Sequence, residues 1–171
     1  RIETTVPKAK ELRPFVERYR LLRRGQDLHV PQPVWTAPND AASAYVKSLF
    51  QSDGYAAVHV PSARVAFAVI SKAWAEELQR LLTRFGIYAR LRQKKERRPD
   101  RFDMWELDIS IRSEREAFQR SIGVISERKN AKLRESLKSP GKRCPEVRYS
   151  TIVSIEPLGE RDVYDIQTAS G

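Results

Sequence analysis

The run Ala44-Tyr-Val-Lys-Ser-Leu-Phe-Gln-Ser-Asp-Gly-Tyr55 constrains this chain more than any other. Its small residues Ala44, Ser48 and Ser52 recur at every fourth position and so line one stripe of a helix. Val46, Leu49 and Phe50 fall on the flank and back of that helix, where a core would take them. Asn39 or Asp40, behind Pro38, would open the helix as its N-cap, and Gly54 would close it. A stripe of small side chains lets a second helix approach backbone to backbone, as small-xxx-small faces do in membranes. Asp53 then stands at the end of the seam. Joined by an acid from the partner helix, it would build a carboxylate cluster of the kind that suits Mg²⁺. By periodicity alone the same run also reads as an ordinary amphipathic helix with an Asp-Gly stop.

The residues around this helix predict an α+β fold. Tyr55 to Val60 and Arg64 to Ile70 are β-rich runs joined by Pro61-Ser-Ala, a hairpin pattern. Lys72 to Phe85 places Trp74, Leu78, Leu81, Leu82 and Phe85 on one helical face, with Gly86 as its stop. A second hairpin is expected from Ile87 to Lys95 and from Phe102 to Ile111. A helix starting at Ser113 or Glu114 runs to Ile122, and another covers Ser126 to Leu137. The order is αββαββα, an antiparallel sheet with helices on one face and the other face open. Upstream, Leu12, Phe15, Val16, Tyr19 and Leu22 predict a basic amphipathic helix over Lys8 to Arg24, with Pro14 near its first turn. Gly25 to Pro38, rich in proline, reads as an extended connector and the best domain boundary.

The charge then points to a partner. The 171 residues hold 32 Lys and Arg against 22 acids, a net charge of +10 and a pI near 10.0. Such a balance is the footprint of a polyanion binder, although a basic surface also serves solubility. In the third strand Ile87, Ala89 and Leu91 alternate with Tyr88, Arg90, Arg92 and Lys94. With Lys95, Arg97 and Arg98 these make a basic ribbon suited to the major groove of double-stranded DNA. His59 and Arg64 of the first hairpin join the same DNA-binding set. A solvated edge strand guarded by cations against aggregation is the plainer alternative.

Other classes drop out. Cys144 is the only cysteine, so neither a disulfide framework nor a cysteine-rich zinc site is possible, and a reducing, cytoplasmic compartment is expected. Two histidines, His29 and His59, are too scattered for a histidine metal site. No apolar run reaches membrane-spanning length, and Arg1 to Pro7 does not have the apolar pattern expected of a signal peptide.

Val46-Lys-Ser-Leu-Phe-Gln-Ser-Asp-Gly54 resembles the LAGLIDADG motif of homing endonucleases, with its fourth-position Leu, its small residues at the packing positions and its terminal Asp-Gly. Leu78 to Ile87 resembles the stretch of intein endonucleases that leads into the third strand, and Gly123 to Leu133 resembles the segment that closes a repeat. Val147 to Thr168, above all Val163-Tyr-Asp-Ile166, is similar to the C-terminal strands of a Hint-like splicing domain. These likenesses cover about residues 28 to 171. They imply an intein whose splicing domain is interrupted by an endonuclease, divided here as 1–34 (end of a preceding repeat and connector), 35–138 (endonuclease repeat) and 139–171 (linker and splicing strands).

What the resemblance implies residue by residue is as follows. Asp53 matches the catalytic, metal-binding Asp. Lys129 or its neighbour Arg128 takes the place of a basic residue near the metal-bound water, with Lys94 next in line. Asp165 matches an acid that assists proton transfer at the splice junctions. The Lys expected ahead of an Ile-Pro pair is missing, since Leu28 and His29 precede Val30-Pro31. Only one motif copy is present, so the second acid must come from an upstream repeat or a second chain, and the position of Leu28 to Pro31 marks this as the second repeat. Splicing would further need an N-terminal splicing-domain fragment, and Cys144 reads as incidental. The expected activity is Mg²⁺-dependent, site-specific hydrolysis of duplex DNA. The alternatives are a DNA-binding module whose nuclease has decayed, or a splicing fragment for which the central domain is a passenger.

Overall fold

Alternation of apolar and polar side chains along two hairpins forces a sheet with one face that needs covering. In the computed structural model, which describes residues 6–19, 23–59, 62–96, 102–139, 151–157 and 159–162, that sheet has four antiparallel strands. They are β1 (Tyr55–His59), β2 (Ser62–Val69), β3 (Arg90–Lys94) and β4 (Met104–Ile109), in the spatial order β1-β2-β4-β3. The helices are α1 (Val6–Arg18), α2 (Gln32–Thr36), α3 (Asn39–Ser52), α4 (Lys72–Thr83), α5 (Arg112–Ser121) and α6 (Glu127–Lys138). From α3 to α5 the order is the expected αββαββα.

Val65, Phe67 and Val69 on β2 and Leu107 and Ile109 on β4 point to the helical side and are buried. Ala42, Val46 and Phe50 on α3 and Trp74, Ala75, Leu78, Leu81 and Leu82 on α4 close over them. Phe50 is the hub: its ring lies 5.3 Å from Phe67 and 4.7 Å from Phe118 of α5. Burying an aromatic side chain contributes on the order of 2–3 kcal/mol, so this cluster fixes α3 against the sheet. Gly54 is required by that closeness: a Cβ there would sit 2.7 Å from the Phe50 Cα, Cδ1 and carbonyl oxygen. Gly54 thus ends α3 by permitting contact, whereas Gly86, at φ +70°, ends α4 in the left-handed region that glycine favours.

Several local expectations are corrected. The Asn39 side chain does not cap α3; its Oδ1 accepts from Arg84 Nη2 at 2.7 Å, and Asp40 Oδ1 accepts from Ala41 N at 2.9 Å. The connector is not extended throughout. Pro31 and Pro33 favour a helical first turn, and Gln32–Thr36 forms α2. Val30 of the connector is buried, its N–H donating to Glu77 Oε2 at 2.7 Å, and Arg84 donates to the carbonyls of Val34, Trp35 and Ala37. The first helix ends at Arg18, not Arg24, and Pro14 lies inside it instead of in its first turn. Of its predicted apolar face, Leu12 is 52% and Phe15 54% exposed, while Val16 and Tyr19 are half-buried; Leu22 is outside the described residues. Helix α5 begins at Arg112, ahead of Ser113, and Glu114 is buried with its Oε1 accepting from Tyr88 N at 3.3 Å.

Arg115 is a fully buried guanidinium. Its Nη1 donates to the carbonyls of Ala63 (2.9 Å) and Ser110, and its Nη2 to that of Ser139 at 2.9 Å. One side chain therefore ties the start of β2, the end of β4 and the end of α6. Burial, then the charge of Arg112, pulls its pKa below the usual arginine value.

Beyond Ser139 the expected splicing-domain strands do not form within the described residues: 151–157 carry no regular structure and are exposed. Val163-Tyr-Asp-Ile166, with Asp165, and Cys144 lie outside the described residues, as do Arg97 and Arg98. Among the described residues no helix is long and apolar enough to cross a membrane.

Candidate nucleic-acid interface and acidic turn

The face of α3 opposite Phe50 carries Ala44, Ser48 and Ser52, all exposed in this chain. Asp53, also exposed, is the C-cap residue, with its N–H donating to Leu49 O at 3.0 Å. Ser52 Oγ lies 3.4 Å from Asp53 Oδ2. Among the described residues no group of three or more His, Cys, Asp or Glu comes together. Asp53 thus offers one hard carboxylate on an accessible turn, and the described residues do not complete a Mg²⁺ donor set around it.

Lys129 reaches the same turn from α6. Its Nζ lies 3.1 Å from Phe50 O, 2.5 Å from Gln51 O, 3.2 Å from Ser52 O and 2.8 Å from Gly54 O. A helix leaves its last carbonyls without partners, and an ammonium has three protons to offer them. Lys129 therefore caps α3. Burial first, then the charge of Arg128, lowers its pKa, and Asp53 opposes both. The group expected beside a metal-bound water is committed to the main chain, while Arg128 is exposed. Gln51 completes the seam, its Oε1 accepting from Ile125 N (3.0 Å) and Ser126 N (2.9 Å) at the start of α6. Lys129→Met should cost about 1.5–3 kcal/mol, the range for hydrogen bonds to a charged group, read as a lower urea midpoint at unchanged slope.

The open face of the sheet begins two residues after Asp53, at Tyr55. Register places Tyr55, Ala66, Asp108 and Arg90 in one row, and Ala68, Glu106 and Arg92 in the next. The alternation read in β3 holds: Ile87 and Ala89 are buried, whereas Tyr88, Arg90 and Lys94 are exposed and Arg92 is half-buried. His59 and Lys95 are exposed, and Arg64 shares the face from β2.

Sequence reasoning missed the acids beneath these cations. Glu106 is 1% and Asp108 3% exposed. Arg64 Nη1 donates to Glu106 Oε1 at 3.1 Å, Tyr55 Oη to Glu106 Oε2 at 2.5 Å, and Lys94 Nζ also to Oε2. Arg92 Nη2 lies 3.3 Å from Asp108 Oδ2, and Asp108 Oδ1 has no hydrogen-bond partner among the described residues. Burial works against the Glu106 charge, but Lys94, Tyr55 and Arg64 together outweigh it and hold its carboxyl below the usual range. Burial and then Glu106 raise the Tyr55 phenol. The signal was present: Glu106 and Asp108 alternate with Trp105, Leu107 and Ile109, and a hairpin puts them opposite Arg92 and Arg90.

Against known proteins, residues 40–123 match the family model of the LAGLIDADG-like domain. The chain is 29% identical over 103 residues to glutamine–fructose-6-phosphate aminotransferase (isomerizing) of Methanocaldococcus jannaschii, covering 60% of this chain and 9% of that protein. It is 30% identical over 131 residues to the replication factor C small subunit of the same organism, covering 76% of this chain and 7% of that one. A probable translation initiation factor IF-2 of Thermococcus kodakarensis is 28% identical over 116 residues, 68% of this chain and 9% of its own length. The chain spans less than a tenth of each of these relatives.

Proposed function

Taking residues 40–123 as a LAGLIDADG-like domain, we propose that this chain is the second repeat of a homing endonuclease that hydrolyses duplex DNA at a specific site. The observation that carries the reading is a juxtaposition. Asp53 ends a helix whose small-residue face is open to a second helix, and two residues later the chain enters a sheet whose free face holds Arg64, Arg90, Arg92 and Lys94. A docked upstream repeat or second chain would bring the second acid. Bound there, Mg²⁺ would supply charge stabilisation at the scissile phosphate. This chain's own part is to provide the Asp53 carboxylate, hold its turn through Lys129, and seat the duplex on the cationic face. Affinity for a mixed-sequence duplex should fall steeply with salt, with a log–log slope of about −0.9 for each phosphate neutralised. Titrations from 50 to 300 mM KCl that show flat affinity would remove the sheet as a DNA surface.

A second reading, a binding module whose nuclease has decayed, is favoured by the engagement of Lys129 with four carbonyls and by Leu28-His29 standing where the family has a Lys. A nicking assay with Mg²⁺ on the polypeptide containing both repeats separates the two.

The place of the domain within a protein-splicing element is proposed on a different ground. The three relatives are named for an aminotransferase, a replication factor subunit and a translation factor, yet each matches 60–76% of this chain over less than a tenth of its own length. A segment common to proteins of unrelated task behaves as an insertion, and an insertion inside working proteins needs a means of leaving them. Joining this chain to an N-terminal splicing-domain fragment and asking for ligated flanks is the test.

A further inference from the structure

We propose that Glu106 and Asp108 are positioning residues of the DNA surface: a buried anionic rail that holds Arg64, Arg92 and Lys94 in fixed places and so exchanges raw affinity for sequence discrimination. The inference rests on the DNA-binding reading above and deepens it.

Two carboxylates with almost no exposure lie on the sheet face that also carries the exposed Tyr55, Arg90 and Lys94. What covers them is the cations themselves, together with Tyr55. Glu106 receives Arg64, Lys94 and Tyr55 at once, and the Arg64 guanidinium also lies 5.8 Å from the centre of the Tyr55 ring. Asp108 holds Arg92. Burying a charge is costly unless it is paired, so the acids keep their cations close in the unliganded protein.

Two consequences follow for a polyanion arriving on this face. A side chain already immobilised has less rotamer freedom to lose on binding, which favours whatever sequence matches its fixed geometry. A cation already neutralised releases fewer counterions from a phosphate, which weakens sequence-independent attraction. Arginine held in plane can also present its free donors bidentately to a guanine edge, whereas a free-swinging one settles on phosphate. The sheet therefore offers less indiscriminate attraction than its cations alone would give.

The test measures binding of the full chain to a mixed-sequence 30-base-pair duplex across a KCl series. Glu106→Gln keeps the side-chain length and removes the charge, freeing Arg64 and Lys94; Asp108→Asn does the same for Arg92. Each variant should bind that duplex about 10-fold more tightly at low salt, with a slope steeper by roughly one unit per freed cation. Selection from a randomised duplex pool should return fewer fixed positions with either variant than with the wild type. Unchanged or shallower slopes in both variants, with selection unaltered, overturn the proposal. Should neither variant fold, ¹⁵N relaxation of the guanidinium groups in the unliganded wild type decides: Arg64 and Arg92 should be more ordered than exposed Arg128, and equal mobility sinks the idea. A wild-type chain that binds duplex without salt dependence overturns the DNA reading itself, a different result from a salt-dependent wild type whose variants match it.

Discussion

Asp53→Asn, in the polypeptide that also carries the second acidic helix, should lower Mg²⁺-dependent duplex cleavage on the order of a thousandfold or more. The amide is nearly isosteric with the carboxylate, keeps one oxygen and loses the negative charge that a hard cation requires. Asp53 is exposed, and its N–H to Leu49 O bond belongs to the backbone and survives the change. The substitution should therefore leave the thermal midpoint unchanged, and duplex affinity should stay within about threefold because the cations of the sheet are untouched. Cleavage at the wild-type rate would show that the acid on this turn takes no part in the reaction. Equal loss of binding and cleavage would instead make Asp53 a structural residue.

Arg115→Ala should be the most destabilising single change in the domain, by about 3–5 kcal/mol, since it combines a large cavity with carbonyls left without donors. The wild-type guanidinium reaches Ala63 O and Ser139 O at 2.9 Å each, and Ser110 O as well. Among the described residues, no other side chain is seen to join β2, β4 and α6 in this way. Arg115→Lys should recover only part of the loss, because a single ammonium stands in for two nitrogens, Nη1 on Ala63 and Ser110 and Nη2 on Ser139. Guanidinium denaturation followed by far-ultraviolet circular dichroism reads both variants, and a cost below that of a surface substitution would mean that water replaces the side chain at little expense.

The fold was legible because its signals were local. Period-3.6 faces in α3 and α4, period-2 alternation in the hairpins and the Gly86 stop each depend on residues a few positions apart. Asp53 at the end of the small-residue helix and the outward face of β3 were legible for the same reason. The interactions that knit these parts were not. Gln51 to Ile125 and Ser126, Lys129 to the end of α3, and Arg84 to the connector all span more than forty residues and end mostly on backbone groups, which leave no mark in the sequence. Counting charge also overstated what the surface offers. Arg84, Arg115 and Lys129 bond carbonyls, while Arg64, Arg92 and Lys94 sit on buried acids. The helix at 32–36 was missed because proline, read as a mark of extended chain, is equally at home in a first helical turn.

The acceptors that Lys129 grips belong to the peptide groups of residues 50, 51, 52 and 54, not to their side chains. Its hold on that corner is therefore blind to spelling. Ser52 can be exchanged for another small residue without loosening the corner, so long as the helix still ends where it does. Small residues can interchange along the exposed stripe while the acid keeps its station.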